Sequence, residues 1–281
     1  MHEIKDKLRD SNEHKVFRCI NCGQVQINPI PTIDEDRNYY NRNSQAKSVF
    51  EDVNMQVMKS KVAGDVNRRF EMFKDKIDKN MKLLEVGCGY GFFVEHLKSK
   101  GYNIEGIEIS NSRREYGIKE LGCEIFDINL LSEDIPMSQN EKYDIIFLFH
   151  VLEHISEPEK FLKNIRKMLK TEGTLIIEVP NIDDHMLIRS EQYRDFYFQR
   201  AHLTYFGRLT LTDLLIKSGY TNMKFEGVQR YNLYNALNWI NKGEPLLGIN
   251  ISKEIEWVEE YYKDNVIRNM KCDTLVAYCR Q

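Results

Sequence analysis

The stretch LLEVGCGYGFF, Leu83 to Phe93, constrains the fold of this chain more than any other eleven residues in it. An apolar run carries the carboxylate Glu85 near its end, glycines follow at 87, 89 and 91, and an amphipathic segment continues to Lys100. A strand that turns through glycine into a helix brings backbone close to a ligand, and the helix N-terminus favours negative charge there. The dinucleotide pattern G-x-G-x-x-G needs its third glycine where this chain has Phe92, which argues against a pyrophosphate-bearing cofactor.

Further short apolar runs follow at NIEGIEI, CEIF, YDIIFLF and TLIIEVP, separated by helix-length amphipathic segments. This alternation predicts βαβ units, an α/β fold whose parallel sheet has helices on both faces. YDIIFLF and TLIIEV lack polar alternation, as befits strands covered on both sides. Two more acids fall at strand ends, Glu108 in GIEIS and Asp127 in CEIFDI. With Glu85 they line one sheet edge and make a pocket for a ribosylated adenine carrying a cationic group.

Together, LLEVGCGYG, GIEIS, FDI, YDIIFLFHVLEHISEPEKFLKNIRKMLKTEGTLIIEVPN and AHLTYF resemble class I S-adenosylmethionine-dependent methyltransferases, over residues 81–220. The branch is that of ubiquinone-biosynthesis O-methyltransferases and many sugar and natural-product methyltransferases. The resemblance implies a Rossmann-like, seven-stranded, mostly parallel sheet, with S-adenosylmethionine as cofactor and S-adenosylhomocysteine as product. It places Glu85, Gly87, Gly89 and Gly91 around the methionine part of the cofactor. Glu108 falls on the ribose hydroxyls, Asp127 on the adenine amino group and the Ile128 backbone on a ring nitrogen. Phe149 and His150 flank the methionine and the sulfonium.

A sulfonium is already a good leaving group, so what remains is in-line alignment and removal of a proton from the acceptor. His154 in HVLEHI and His202 in AHLTYF are the candidate bases, histidine being suited to this near neutral pH. His202 is favoured because it belongs to the aromatic, charged segment 181–206, which reads as a lid over the acceptor. Glu153 could orient His154 or a neighbouring lysine, but the default for a carboxylate opening a helix is to complement the helix dipole. Tyr193, Arg194, Tyr197, Arg200 and Tyr205 would form an acceptor wall, and its arginines suggest a small anionic substrate.

Residues 1–45 read as a small irregular module around Cys19-x-x-Cys22. The CINCG run has the look of a zinc knuckle, but a structural zinc wants four ligands, and only His2 and His14 stand as distant additions. A metal-free turn is the expectation; no metal ligand is assigned. Sugar-modifying relatives carry two such knuckles, and this module resembles the second of them with the first missing, which directs the acceptor toward sugars. Residues 46–281 then form the methyltransferase domain, with leading helices over 46–80, the lid at 181–206 and a helical insertion at 231–265 before the last strand, KCDTLVAYC.

With 40 basic and 43 acidic residues, net charge −3, no basic stripe marks a nucleic-acid partner. No apolar run reaches the roughly 18 residues of a membrane span, and the charged N-terminus has no apolar signal region. These features point to a cytoplasmic protein with free thiols and no membrane partner; the sequence specifies no oligomeric state. The expected activity is O-methylation of a sugar, nucleotide-linked sugar or other cell-surface-glycan precursor. The alternatives are N- or C-methylation, a quinone or secondary-metabolite acceptor, or a cofactor-binding scaffold without turnover.

Overall fold

The computed structural model describes residues 1–32, 35, 55–132, 136 and 139–281. The chain divides into two compact units: Met1–Ile30 with His150–Pro158 and Ile177–Cys279, and Pro31–Phe149 with Glu159–Ile176 and Arg280–Gln281.

In the first unit, β1 (His2–Lys5), β2 (Lys15–Arg18) and β3 (Val25–Asn28) pair antiparallel, and β3 pairs in turn with β9 (Thr204–Tyr205). The N-terminal module expected to be irregular is therefore a regular sheet. Its strands are too short for alternation to stand out, and its last partner lies far along the chain. Val16, Val25 and Ile27 point inward onto Leu8, Phe198, Leu203 and Tyr205. The Cys-x-x-Cys turn joins β2 to β3: the Cys19 N–H donates to the Gln24 carbonyl (2.8 Å), and the Gly23 N–H donates to the Cys19 carbonyl (3.0 Å). Both cysteines are free thiols.

Among the described residues, the first long helix of the second unit is α1 (Met55–Phe73); the expected helical positions 46–54 lie outside them. The glycine run sits between β4 (Lys82–Val86) and α2 (Phe92–Ser99). Next come β5 (Asn103–Ile107), α3 (Asn111–Lys119), β6 (Ile125–Phe126), β7 (Tyr143–Phe149) and α4 (Pro158–Met168). β4 runs parallel to both β5 and β7, and β5 runs parallel to β6. Leu83, Leu84, Ile146, Phe147 and Leu148 are 0% exposed, which is why these strands read as unbroken apolar runs.

β8 (Leu169–Pro180) belongs partly to each unit, and β10 (Thr221–Val228) and β11 (Thr274–Arg280) complete the seven-stranded sheet in the order β10-β11-β8-β7-β4-β5-β6. The segment expected to act as a lid folds as two short helices, α5 (Met186–Arg189) and α6 (Glu191–Tyr197), before β9. Then α7 (Arg208–Lys217) leads to β10, and α8 (Leu233–Lys242) and α9 (Glu256–Arg268) form the insertion before β11. Among the described residues no helix is long and apolar enough to cross a membrane.

Candidate active site

The parallel register sets Val86 against Ile107 and Ile107 against Phe126, so Gly87, Glu108 and Asp127 leave adjacent strands at one edge. Gly87, Gly89 and Gly91 all have φ in the left-handed region, at 71°, 57° and 81°, where a side chain is strained. A Cβ at Gly89 would meet no atom of the described residues within 4 Å, whereas one at Gly91 would come 3.1 Å from Ile125. Gly91 thus serves packing, and Gly89 borders space a ligand can use. Glu108, 7% exposed, accepts from the Gly89 N–H at 2.9 Å and from the Ser110 N–H at 2.8 Å, one on each oxygen. Each oxygen keeps a further lone pair, enough for the two hydroxyls of a ribose.

Glu85 is 5% exposed, and its Oε2 has no hydrogen-bond partner among the described residues. Burial pushes its pKa up to about 8, opposed by the Arg69 charge and reinforced by Glu108. An orphaned buried carboxyl is costly unless something satisfies it. A ligand carrying an ammonium or sulfonium would do so, and the residues present therefore fit S-adenosylmethionine. Asp127 is exposed and lies 3.1 Å from Arg114, which also donates to the Glu108 carbonyl at 2.8 Å. Ile128 is buried beside it. Phe149 sits within an aromatic core, stacked on Phe73 and edge-on to Phe93, with the Arg69 guanidinium 4.3 Å over its ring. Arg69 and Arg114 carried no sequence signal, since an arginine on an amphipathic helix looks like any solvated charge.

The first unit holds the histidines. His150 has a left-handed φ of 53°, and its ring lies between two buried acids, with Nδ1 3.3 Å from Glu153 and Nε2 3.1 Å from Glu178. Burial disfavours its charge, but the hydrogen bonds to Glu153 and Glu178 outweigh that and raise its pKa. Glu153 is 1% exposed on a short 3₁₀ turn. Burial opposes its ionisation, yet His150, His154 and His202 hold its pKa down to about 2. This departs from the dipole default: Glu153 is buried among His150, His154 and His202.

The hydrogen bonds separate the two candidate bases. His154 Nδ1 lies 2.7 Å from the Ala201 carbonyl and must donate to it, so Nε2 is its basic nitrogen. His202 Nε2 lies 2.7 Å from the Gln199 amide nitrogen, and its Nδ1 is buried without a partner among the described residues. Burial and the neighbouring His154 push the His202 pKa down to about 3. The two rings meet edge-on at 4.9 Å. One ligand atom each from Glu153, His154 and His202 lie within 4.8 Å of one another, the group of described residues able to hold a metal ion.

The residues expected to line an acceptor wall divide. Tyr193 donates to Asp184 at 2.7 Å, and the Tyr205 hydroxyl accepts from the Gln199 N–H at 2.9 Å, so both brace the segment. The Tyr197 hydroxyl is buried without a partner among the described residues. Arg200 is only 5% exposed, and Arg194 stands on the surface 3.8 Å from Glu191. Among the described residues, Asp184, Met186, Tyr193, Gln229, Asn235 and Asp273 line a small, solvent-open recess. Burial pushes Asp184 up to about 7.

Residues 58–224 match a family model described as a methyltransferase domain. A ubiquinone biosynthesis O-methyltransferase of Rickettsia bellii is 28% identical over 103 residues, 36% of this chain and 43% of the relative. Its counterpart in Rickettsia conorii is 32% identical over 116 residues, 40% of this chain and 39% of that protein. The match thus spans under half the length of these relatives. Among solved structures, a SAM-dependent methyltransferase of Thermotoga maritima aligns with TM-score 0.54 at 17% identity, covering 87% of this chain and 98% of that one. One from Archaeoglobus fulgidus aligns at 0.52 and 17% identity, covering 81% and 95%. These similarities show the fold.

Proposed function

This chain belongs to the methyltransferase-domain family, and from that premise we propose that it moves the methyl group of S-adenosylmethionine to a hydroxyl of a small, hydroxyl-rich acceptor. A sugar, nucleotide-linked sugar or other glycan precursor is the acceptor class proposed. The observation that carries the cofactor half is the buried oxygen of Glu85, without a hydrogen-bond partner among the described residues, on the strand that feeds the glycine loop. When bound, the cofactor supplies an electrophilic methyl on a sulfonium that departs without acid assistance. Glu85 balances the cofactor's positive charge, Glu108 takes the ribose hydroxyls, and Gly89 leaves room for the methionine.

In the first unit, His154 Nε2 takes the acceptor proton, while Glu153, ionised and buried, stabilises the imidazolium that forms. This shifts the base from His202, whose Nε2 is engaged by Gln199, to His154. The acceptor class is supported by the N-terminal Cys19-x-x-Cys22 module, which resembles that of sugar-modifying methyltransferases. The test is a transfer assay with methyl-labelled S-adenosylmethionine against fractionated nucleotide-sugar, glycan-precursor and quinone pools. Label in a hydroxyl-bearing sugar fraction is expected; label confined to a quinone fraction would overturn the acceptor class. Replacing Glu108 by Ala should weaken cofactor binding by about 1.5–3 kcal/mol for each charge-assisted hydrogen bond lost, read by calorimetric titration.

A second reading has its own observation. Glu153 Oε2 and His202 Nδ1 are both buried without partners among the described residues, in the group that also includes His154. A divalent cation there would satisfy both and acidify an acceptor hydroxyl. Metal analysis of the purified protein and assay after chelation decide this. Activity retained after chelation is expected if proton removal by His154 suffices, and loss restored by one divalent metal would establish the cation.

A further inference from the structure

We infer that Arg9, in the N-terminal module, is a positioning residue for the histidine cluster, acting through the Gln199 amide; the inference rests on the proton-transfer role proposed above. The turn that carries it is anchored by Leu8, 4% exposed, which packs with Val16, Val25, Ile27, Phe198, Leu203 and Tyr205. On either side of the guanidinium the backbone is tied down. The Arg9 N–H donates to the Phe198 carbonyl at 3.0 Å, and the Arg200 N–H donates to Asp10 at 2.8 Å.

The guanidinium lies 4.5 Å over the Phe196 ring and donates from Nη1 to the Phe196 carbonyl at 3.1 Å. Its other arm, Nη2, contacts Gln199 Oε1. Arginine has only donors, so the amide oxygen of Gln199 must face Arg9 and the amide nitrogen must face the other way. That nitrogen meets His202 Nε2 at 2.7 Å. An amide nitrogen also only donates, so Nε2 must accept, and the single proton of the neutral ring is confined to Nδ1. An imidazolium would set donor against donor at Nε2, so the ring held by this amide is neutral. Arg9 therefore decides, 190 residues from Gln199 in sequence, that His202 presents a donor rather than a lone pair from its buried Nδ1. A donor there suits a cluster in which His154 collects the proton. Coordination of a cation by Nδ1 would require the amide to turn its nitrogen toward Arg9, donor against donor.

The experiment is nitrogen-15 NMR of the His202 ring in the full chain, beside Arg9→Met, Arg9→Lys and Gln199→Glu. The parent should show a protonated Nδ1. Arg9→Met should give a mixture of tautomers, Arg9→Lys should restore the parent pattern at least in part, and Gln199→Glu should move the proton to Nε2, since a carboxylate only accepts. In the transfer assay Arg9→Met should lower kcat about tenfold with KM for S-adenosylmethionine and thermal stability unchanged, a pattern of lost positioning rather than lost cofactor binding. A parent ring protonated on Nε2, or an Arg9→Met ring identical to the parent, would overturn the inference. The tautomer is read without any acceptor, so a shift seen in a protein that transfers no methyl would count against the methyl-transfer reading alone.

Discussion

Gly89→Val is expected to abolish measurable S-adenosylmethionine binding while leaving the chain folded. A Cβ at this position meets no atom of the described residues within 4 Å, so the valine side chain would extend into space assigned to the methionine part of the cofactor. The backbone at φ 57° adds strain, about 1–2 kcal/mol for a residue with a Cβ. That strain lowers stability in the free and bound states alike, so the loss of affinity comes from steric exclusion, which should exceed about 2.8 kcal/mol, a hundredfold. The effect should be larger than that of Glu108→Ala, which removes hydrogen bonds but opens space. Affinity within threefold of the parent by calorimetry would mean that the cofactor does not pass this glycine.

Glu153→Ala should damage both turnover and stability. Glu153 is 1% exposed, and its ionised form faces His150 while His154 and His202 stand close enough to lower its pKa. Removing one partner of a buried ion pair costs about 3–5 kcal/mol. The lower end applies here, because the His150 side chain is 25% exposed and keeps Glu178 as a second partner. The pH dependence has a definite sign. A carboxyl whose folded pKa is depressed from 4.5 to about 2 contributes stability that is complete above 4.5 and is lost as pH falls toward 2. Denaturant unfolding of the parent and the variant should therefore differ most near neutrality and converge across that acidic window. A gap unchanged from pH 6 to pH 2.5 would show that Glu153 acts by packing alone.

The parts legible in the sequence were those whose physics is local. A carboxylate, a glycine turn and a helix start lie within eleven residues, and the next two strand-end acids follow from strand parity and register. The seven-stranded order accords with the resemblance that those motifs carry. What escaped was built by distant pairing. β3 finds its edge partner in Thr204–Tyr205, so a module that looked irregular becomes a sheet. Glu153 and Glu178 meet His150 only because a left-handed residue turns the chain at the end of β7, and nothing about a histidine announces a positive φ. The choice between His154 and His202 likewise needed the Ala201 carbonyl and the Gln199 amide, whose orientation no spacing rule encodes.

The measurement that tests the central claim most directly is calorimetric titration of the purified chain with S-adenosylmethionine near pH 7, in two buffers of different ionisation enthalpy, with NAD as the comparison. Glu85, held protonated by burial with a pKa of about 8, should ionise when a cationic ligand arrives, releasing about one proton per cofactor bound. One-to-one binding of S-adenosylmethionine with that proton release, lost in Glu85→Gln, and no binding of NAD are the predicted results. Binding of NAD with no heat from S-adenosylmethionine would contradict the account.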